Sequence, residues 1–234
     1  MSFSIVIPSC NLTNLTACIH AIRAAGETAR IIAVWHRRHE VREMPGALDA
    51  DFGPEAEPLV KIVAPNDPWC FAAAANAGIN AALKIGDDDV LLCNDDALLE
   101  TPKGFTAMSY QWPDFGILSA RVRGTAHPVH QISKVCGVSN DITRVGGMVP
   151  FVCVLIRRAL IDRIGMLDTR FVPGGFEDDD YCRRAHDAGS LVGCYNGTVV
   201  DHERLPHTFR PDGKPQLYDL NTNRARFNEK WGIK

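Results

Sequence analysis

The sequence predicts an α/β fold: a mostly parallel, Rossmann-like central sheet flanked by helices, with a second half fused onto it. Three observations predict it. Short apolar segments alternate with helix-period segments through the first hundred residues, which is the pattern of a parallel sheet covered on both faces. The apolar run Val90-Leu91-Leu92-Cys93 ends in Asn94-Asp95-Asp96, polar residues delivered to a strand's carboxyl end, where open α/β sheets place ligands. Glycines 174 and 175 lead into Glu177-Asp178-Asp179-Asp180 at the head of a helical segment. Four adjacent carboxylates repel one another, so solvent, a cation or a catalytic task must offset the charge.

Each element has its own signal. Ser4–Ile7 is a short apolar strand that Pro8 is expected to end, and Asn11 or Thr13 is positioned to cap a helix over Leu15–Ala25. Arg30–Trp35 reads as a second buried strand, and Met44–Pro58, rich in proline and glycine, as a loop. Leu59–Ala64 is a third strand, the alanine-rich Phe71–Ile85 a close-packing helix, and Val90–Cys93 a fourth strand. After Pro102 the alternation weakens. Phe115–Ala120 and Val149–Ile156 read as strands with an irregular 121–147 segment between them. Arg158–Ile164 and Asp178–Ala188 read as helices closed by Gly165 and Gly189, Leu191–Tyr195 as a strand, and Asn221–Trp231 as a last helix.

A chain of 234 residues can bury one substantial core. Its 46% hydrophobic and 23% charged residues are ordinary for a soluble protein, and a net charge of −3 argues against a nonspecific polyanion binder. No apolar run is long enough to cross a bilayer, and the N-terminus reads as a strand rather than a signal, so a cytoplasmic location is expected. The eight cysteines lack Cys-x-x-Cys spacing, and those inside apolar segments read as small packed hydrophobes rather than metal ligands or disulfides.

A carboxylate pair after a buried strand suits Mg²⁺ or Mn²⁺, hard cations that share oxygen ligands with substrate phosphates. Asp96 is the first choice for ligation, with Asp95 turned towards a ribose or sugar; the plainer reading is a polar turn. Asp178, at a helix N-terminus, is the candidate general base. Capping and the helix dipole account for one or two of the four acids but not all of them. Asp180 is positioned to pair with Arg183 or Arg184. His202, between Asp201 and Glu203, is a second candidate ligand, its alternative being an ordinary packed or surface histidine.

Together SIVIPSCN, FAAAANAGINAAL running into VLLCNDDALL, the segment VLIRRALIDRIGMLDTRFVPGGFEDDDYCRRAHDAG and VVDHE resemble a family 2 glycosyltransferase of the GT-A fold. The tail NRARFNEKWG is similar to the closing helix of many such enzymes. The resemblance implies inverting transfer of a sugar from a nucleotide-diphosphate donor, by default a UDP-sugar, to an acceptor hydroxyl on a glycan, a protein or a modified base. It implies that Asp96 and His202 hold Mn²⁺ or Mg²⁺ and that Asp178 is the base. Pro8, Ser9, Asn11, Trp35, Asn76 and Asp95 would meet the nucleotide sugar, and Gly174, Gly175, Glu177 and Asp180 the substrate. A single domain would comprise a donor half (1–100), an acceptor-binding half (101–204) and a C-terminal loop and helix (205–234). Two positions depart from the family: Trp35-His36-Arg37-Arg38 stands where an acid usually reads the base, and Asn94 opens the metal motif in place of Asp. The alternatives are a noncatalytic GT-A scaffold that binds nucleotide sugar or glycan, and a sugar-phosphate nucleotidyltransferase. The latter lacks support because Pro8-Ser9-Cys10-Asn11 offers no Gly-rich basic loop.

Overall fold

A computed structural model of the protein describes residues 2–35, 58–63, 70–86, 89–111, 114–125, 127–131, 139–206 and 220–233. The expected loop over 44–57 and the basic residues 36–38 lie outside the described residues. Strands β1 (Phe3–Ser9), β2 (Arg30–Trp35), β3 (Leu59–Val63) and β4 (Asp89–Cys93) form the predicted parallel sheet, in the order β3-β2-β1-β4. Strand β1 runs through Pro8 instead of stopping before it, with Pro8 opposite Val34. The ladder to β4 stops at Val6, so on that side the missing N–H of Pro8 forfeits no ladder bond.

Helix α1 (Leu12–Ala24) buries Leu15, Cys18, Ile19 and Ile22, a stripe at helical spacing, and the Asn11 side chain caps it by accepting from the Asn14 N–H at 3.3 Å. Helix α2 (Phe71–Ile85) lies on the other face and ends at Gly86, whose φ of 94° gives the left-handed cap. A Cβ on Gly78 would stand 2.2 Å from Val6 Cγ1 and 2.8 Å from Val34 Cγ2, so only glycine lets α2 sit this close to β1 and β2. Alternation along β1 sends Ile5 and Ile7 into the α1-side core and Val6 into the α2-side core.

The chain then passes through β5 (Leu98–Leu99), α3 (Gly104–Ser109), β6 (Phe115–Arg123), α4 (Pro128–Gln131), β7 (Ile142–Val145), β8 (Cys153–Arg157), α5 (Arg158–Ile164), α6 (Glu177–Asp187), β9 (Leu191–Asp201) and α7 (Leu220–Trp231). Here the sheet stops being purely parallel. Strand β8 is antiparallel to β4 and to β6, β9 is parallel to β6, and β5 and β7 are each antiparallel to β9. The reversal has a positional consequence: Cys153 opposes Cys93, so the start of β8 and residues 149–152 before it lie at the carboxyl end of β4. The apolar run from Val149 therefore becomes strand only at Cys153. The strand expected at Leu191–Tyr195 runs on to Asp201 as β9, with a register irregularity opposite Ala120 and Arg121. The seven described cysteines are all free and buried. Among the described residues no helix is long and apolar enough to cross a membrane.

Candidate active site

Two acidic turns build the site. The first follows β4. The Asn94 N–H donates to the Val152 carbonyl at 2.8 Å, and the Ala97 N–H donates back to the Asn94 carbonyl at 3.2 Å, closing the turn. The buried Cys18 and Cys93 thiols also donate to the Asn94 carbonyl, at 3.6 and 3.4 Å. Ser9, at the end of the neighbouring strand β1, donates its hydroxyl to Asp95 Oδ2 and accepts the Asn11 N–H at 3.0 Å. Asp95 and Asp96 are both buried.

His202 directly follows β9, and its Nε2 lies 3.0 Å from Asp96 Oδ1. The turn that carries it is fixed by Asp201, whose Oδ1 accepts the N–H groups of Glu203 (2.9 Å) and Arg204 (3.3 Å). The donor set of one carboxylate oxygen and one imidazole nitrogen fits a divalent cation. Adjacent donors bound at about 2.1 Å and right angles to one ion stand about 3.0 Å apart, which is the spacing of this pair. Among the described residues no third acidic, histidine or cysteine side chain joins the cluster.

The second turn opens α6. It is entered through Gly175 (φ 89°) and Phe176 (φ 75°), the latter a non-glycine residue in left-handed backbone. Asp180 is fully buried and takes three donors: Arg184 Nε (2.9 Å), Lys230 Nζ (2.6 Å) and Trp231 Nε1 (3.1 Å). Of the two expected partners it pairs with Arg184, while the Arg183 guanidinium lies over the Trp231 ring at 4.3 Å. The other three acids crowd one another. Burial, then the charge of Asp178, pushes Glu177 well above the ordinary carboxylic range. Its Oε2 is buried without a hydrogen-bond partner among the described residues. Burial and the charge of Asp179 push Asp178 up to about 7, against the pull of the backbone N–H groups of Asp179, Asp178 and Phe151. Asp179 is also raised by burial, with His127 opposing the shift.

Phe151 and Val152 tie the two turns together. The Phe151 N–H lies close enough to the Asp178 carboxylate to draw its pKa down, and the adjacent Val152 carbonyl accepts from Asn94. Asp178 thus stands two backbone contacts from the Asp95-Asp96 turn.

The remaining sequence-predicted residues are spread around this centre. Asn11 caps α1 and Pro8 lies in β1. Trp35 ends β2 opposite Ser9, and its buried indole N–H has no partner among the described residues. Asn76 is occupied at both ends by the Leu167 backbone, donating to its carbonyl at 2.8 Å and accepting its N–H at 3.0 Å. Gly174 and Gly175 form the loop before α6, and both of their carbonyls accept from Asn223 Nδ2 (2.9 and 3.1 Å). Next to His202, Arg204 is engaged by Glu100 (2.7 Å) and Asp201 (2.9 Å). Reading the sequence for chemistry missed His127, Asn223, Lys230 and Trp231. The last three lie in the NRARFNEKWG tail, whose resemblance to a closing helix was the available signal; His127 had none.

No protein-family model and no curated protein sequence matches the chain. Solved structures do. GalNAc-T7 with UDP, GalNAc and Mn²⁺ is similar with a TM-score of 0.69 at 12% identity, over 98% of this chain and 48% of that one. Residues 1–349 of S. aureus TarS in complex with UDP-GlcNAc give 0.61 at 11% identity, over 88% of this chain and 60% of that one. The catalytic domain of Drosophila β1,4-galactosyltransferase 7 with xylobiose gives 0.50 at 15% identity, over 90% and 68%. At these identities the likeness is one of fold, the GT-A fold of glycosyltransferases. The chain spans about half the length of the GalNAc-T7 chain and three-fifths of the TarS chain.

Proposed function

We propose that the chain is an inverting glycosyltransferase of the family 2 type, moving a sugar from a nucleoside-diphosphate donor, by default a UDP-sugar, to an acceptor hydroxyl. The observation that carries this reading is the Phe151-Val152 bridge, which sets a carboxylate with a pKa of about 7 beside a turn carrying a paired carboxylate and imidazole. The three similar structures support it, since their ligands are UDP with GalNAc and Mn²⁺, UDP-GlcNAc, and xylobiose.

Asp178 in its ionised form takes the acceptor proton as the acceptor oxygen bonds to the anomeric carbon, opposite the departing diphosphate, and this inverts the configuration. A pKa near 7 leaves a usable ionised fraction at neutral pH while keeping the carboxylate basic. Burial disfavours a charge on Glu177, which lessens its repulsion of the Asp178 carboxylate. Asp96 and His202 would hold the cation, and Asp95, fixed by Ser9, would face the ribose or sugar. A bound cation supplies positive charge to the diphosphate oxygens. The imidazole favours Mn²⁺ over Mg²⁺, which prefers oxygen ligands. Residues 1–100 would form the donor half and 101–204 the acceptor half, with xylobiose in the galactosyltransferase structure favouring a glycan among the possible acceptors.

A thermal-shift panel of nucleoside diphosphates, UDP-GlcNAc and UDP-GalNAc, each with and without Mn²⁺, tests the reading. We expect stabilisation by one base that depends on the metal; a ligand at about 100 times its Kd contributes about 2.7 kcal/mol. In Asp96→Ala the Mn²⁺-dependent part should vanish. A folded protein that responds to no nucleotide would sink the proposal, and one that binds donor yet never releases diphosphate would be the noncatalytic scaffold.

A further inference from the structure

Helix α7 is attached to the site by polar contacts at both of its ends. Asn223 is its one buried residue, with no exposed surface at all. Its carboxamide donates to two consecutive carbonyls, Gly174 at 2.9 Å and Gly175 at 3.1 Å. Arg226 Nη1 donates to Asn223 Oδ1 at 2.8 Å, which fixes which end of the amide faces the loop. Leu220 lies over Gly175, where an added Cβ would meet its Cδ2 at 2.9 Å, and the Phe227 ring packs against that of Phe176 with centroids 5.6 Å apart. Near the other end of the helix, Lys230 and Trp231 hold the buried Asp180 of α6. The loop held in this way contains two consecutive residues in left-handed backbone, one of them Phe176. Such a conformation persists only where its surroundings over-determine it, and here α7 provides them.

We propose that Asn223 is a positioning residue for Asp178: by holding the Gly174 and Gly175 carbonyls, it keeps Gly175 and Phe176 left-handed and so sets the direction in which the head of α6 presents its carboxylates. The inference rests on Asp178 being the base. Asn223 itself touches no reacting atom and acts only through the loop.

Hydrogen exchange in the full chain, read on the amides of residues 174–180, tests the hold without any turnover. Asn223→Ala should speed exchange there by about tenfold, as the loss of two hydrogen bonds implies, and leave β1 and β4 unchanged. The second readout is UDP release from whichever of UDP-GlcNAc or UDP-GalNAc stabilises the protein, with Mn²⁺ and with water as acceptor. Asn223→Ala should lower kcat by about 10- to 100-fold with the donor KM unchanged, since a misplaced base does not weaken donor binding. Asparagine adopts left-handed backbone more readily than phenylalanine, so in a Phe176→Asn background the Asn223→Ala loss of kcat should shrink. Unchanged exchange at 174–180 overturns the proposal. So does faster exchange with unchanged kcat while Asp178→Asn is inactive, or a loss carried by donor KM. If Asp178→Asn itself keeps its turnover, the base assignment has failed instead, and exchange alone decides whether α7 holds the loop.

Discussion

The two acidic turns solve the same electrostatic problem in opposite ways. The 94–96 turn sits at the end of a buried strand, and its charges are answered by partners: a serine hydroxyl on Asp95 and the His202 imidazole beside Asp96. The 177–180 turn has one acid answered in that way, Asp180, while the buried Glu177 and the half-buried Asp178 and Asp179 all have raised pKa values, desolvation being the main cause in each. Partners favour the ionised form and suit ligation; desolvation favours the protonated form and suits proton transfer. This difference supports the proposed division of roles more than the count of acids does, because either cluster alone is merely a run of negative charge.

The largest test of this contrast removes the proton acceptor and leaves the ligand turn intact. Asp178→Asn should lower turnover by about 10²-fold or more while donor affinity, read by calorimetry, stays the same. Near-normal turnover would end its role as base. In the unaltered protein, a base with a pKa of about 7 predicts a kcat that falls about tenfold per pH unit below neutrality and levels above it. A profile flat from pH 5 to 9 would break the link between crowding and function.

How much of this was legible in the sequence depended on the range of the interactions. Arg30–Trp35, Phe71–Ile85 and Arg158–Ile164 form the elements that their apolar spacing predicts, since local pattern and packing agree there. Pro8 misled because its effect depends on which neighbouring strand needs its N–H, and β4 ends before reaching it. Strand β7 lay hidden in the irregular 121–147 segment because its pairing with β9 is long-range. The acidic residues were visible as motifs, but the bridge joining them was not. It is built from backbone groups of Phe151 and Val152, which carry no side-chain signature. Asn223 and Lys230 escaped for a related reason: on a polar C-terminal helix they look like solvated residues until the chain brings them against Gly174 and Asp180.

Crowding and partnering also predict opposite effects on stability. Asp178 has a folded-state pKa raised from the ordinary carboxylic value to about 7. Below the unfolded value it is protonated in both states and costs nothing. As the pH rises towards 7 the folded protein must hold a proton the unfolded chain has given up, so stability is lost across that window and stays low above it. The displacement sets a ceiling of about 4 kcal/mol at neutral pH and above. Asp178→Asn should therefore raise the midpoint of urea unfolding at pH 8 and leave it nearly unchanged at pH 4. A variant destabilised at pH 8 would mean that the carboxylate is held by partners after all.

Ser9→Ala is the counterpart in the first turn and has the smallest expected effect. It deletes the hydroxyl that donates to Asp95 Oδ2, leaving a carboxylate with 1% exposure short of one donor. An unsatisfied buried group of this kind costs about 1–3 kcal/mol, so the variant should be less stable than the native protein at neutral pH, the reverse of Asp178→Asn. If Ser9→Ala proved neutral at every pH, partnering would not be what lets the first turn keep its charge. Water reaching Asp95 would then be the better explanation, and the contrast between the two turns would rest on Asp96 and His202 alone.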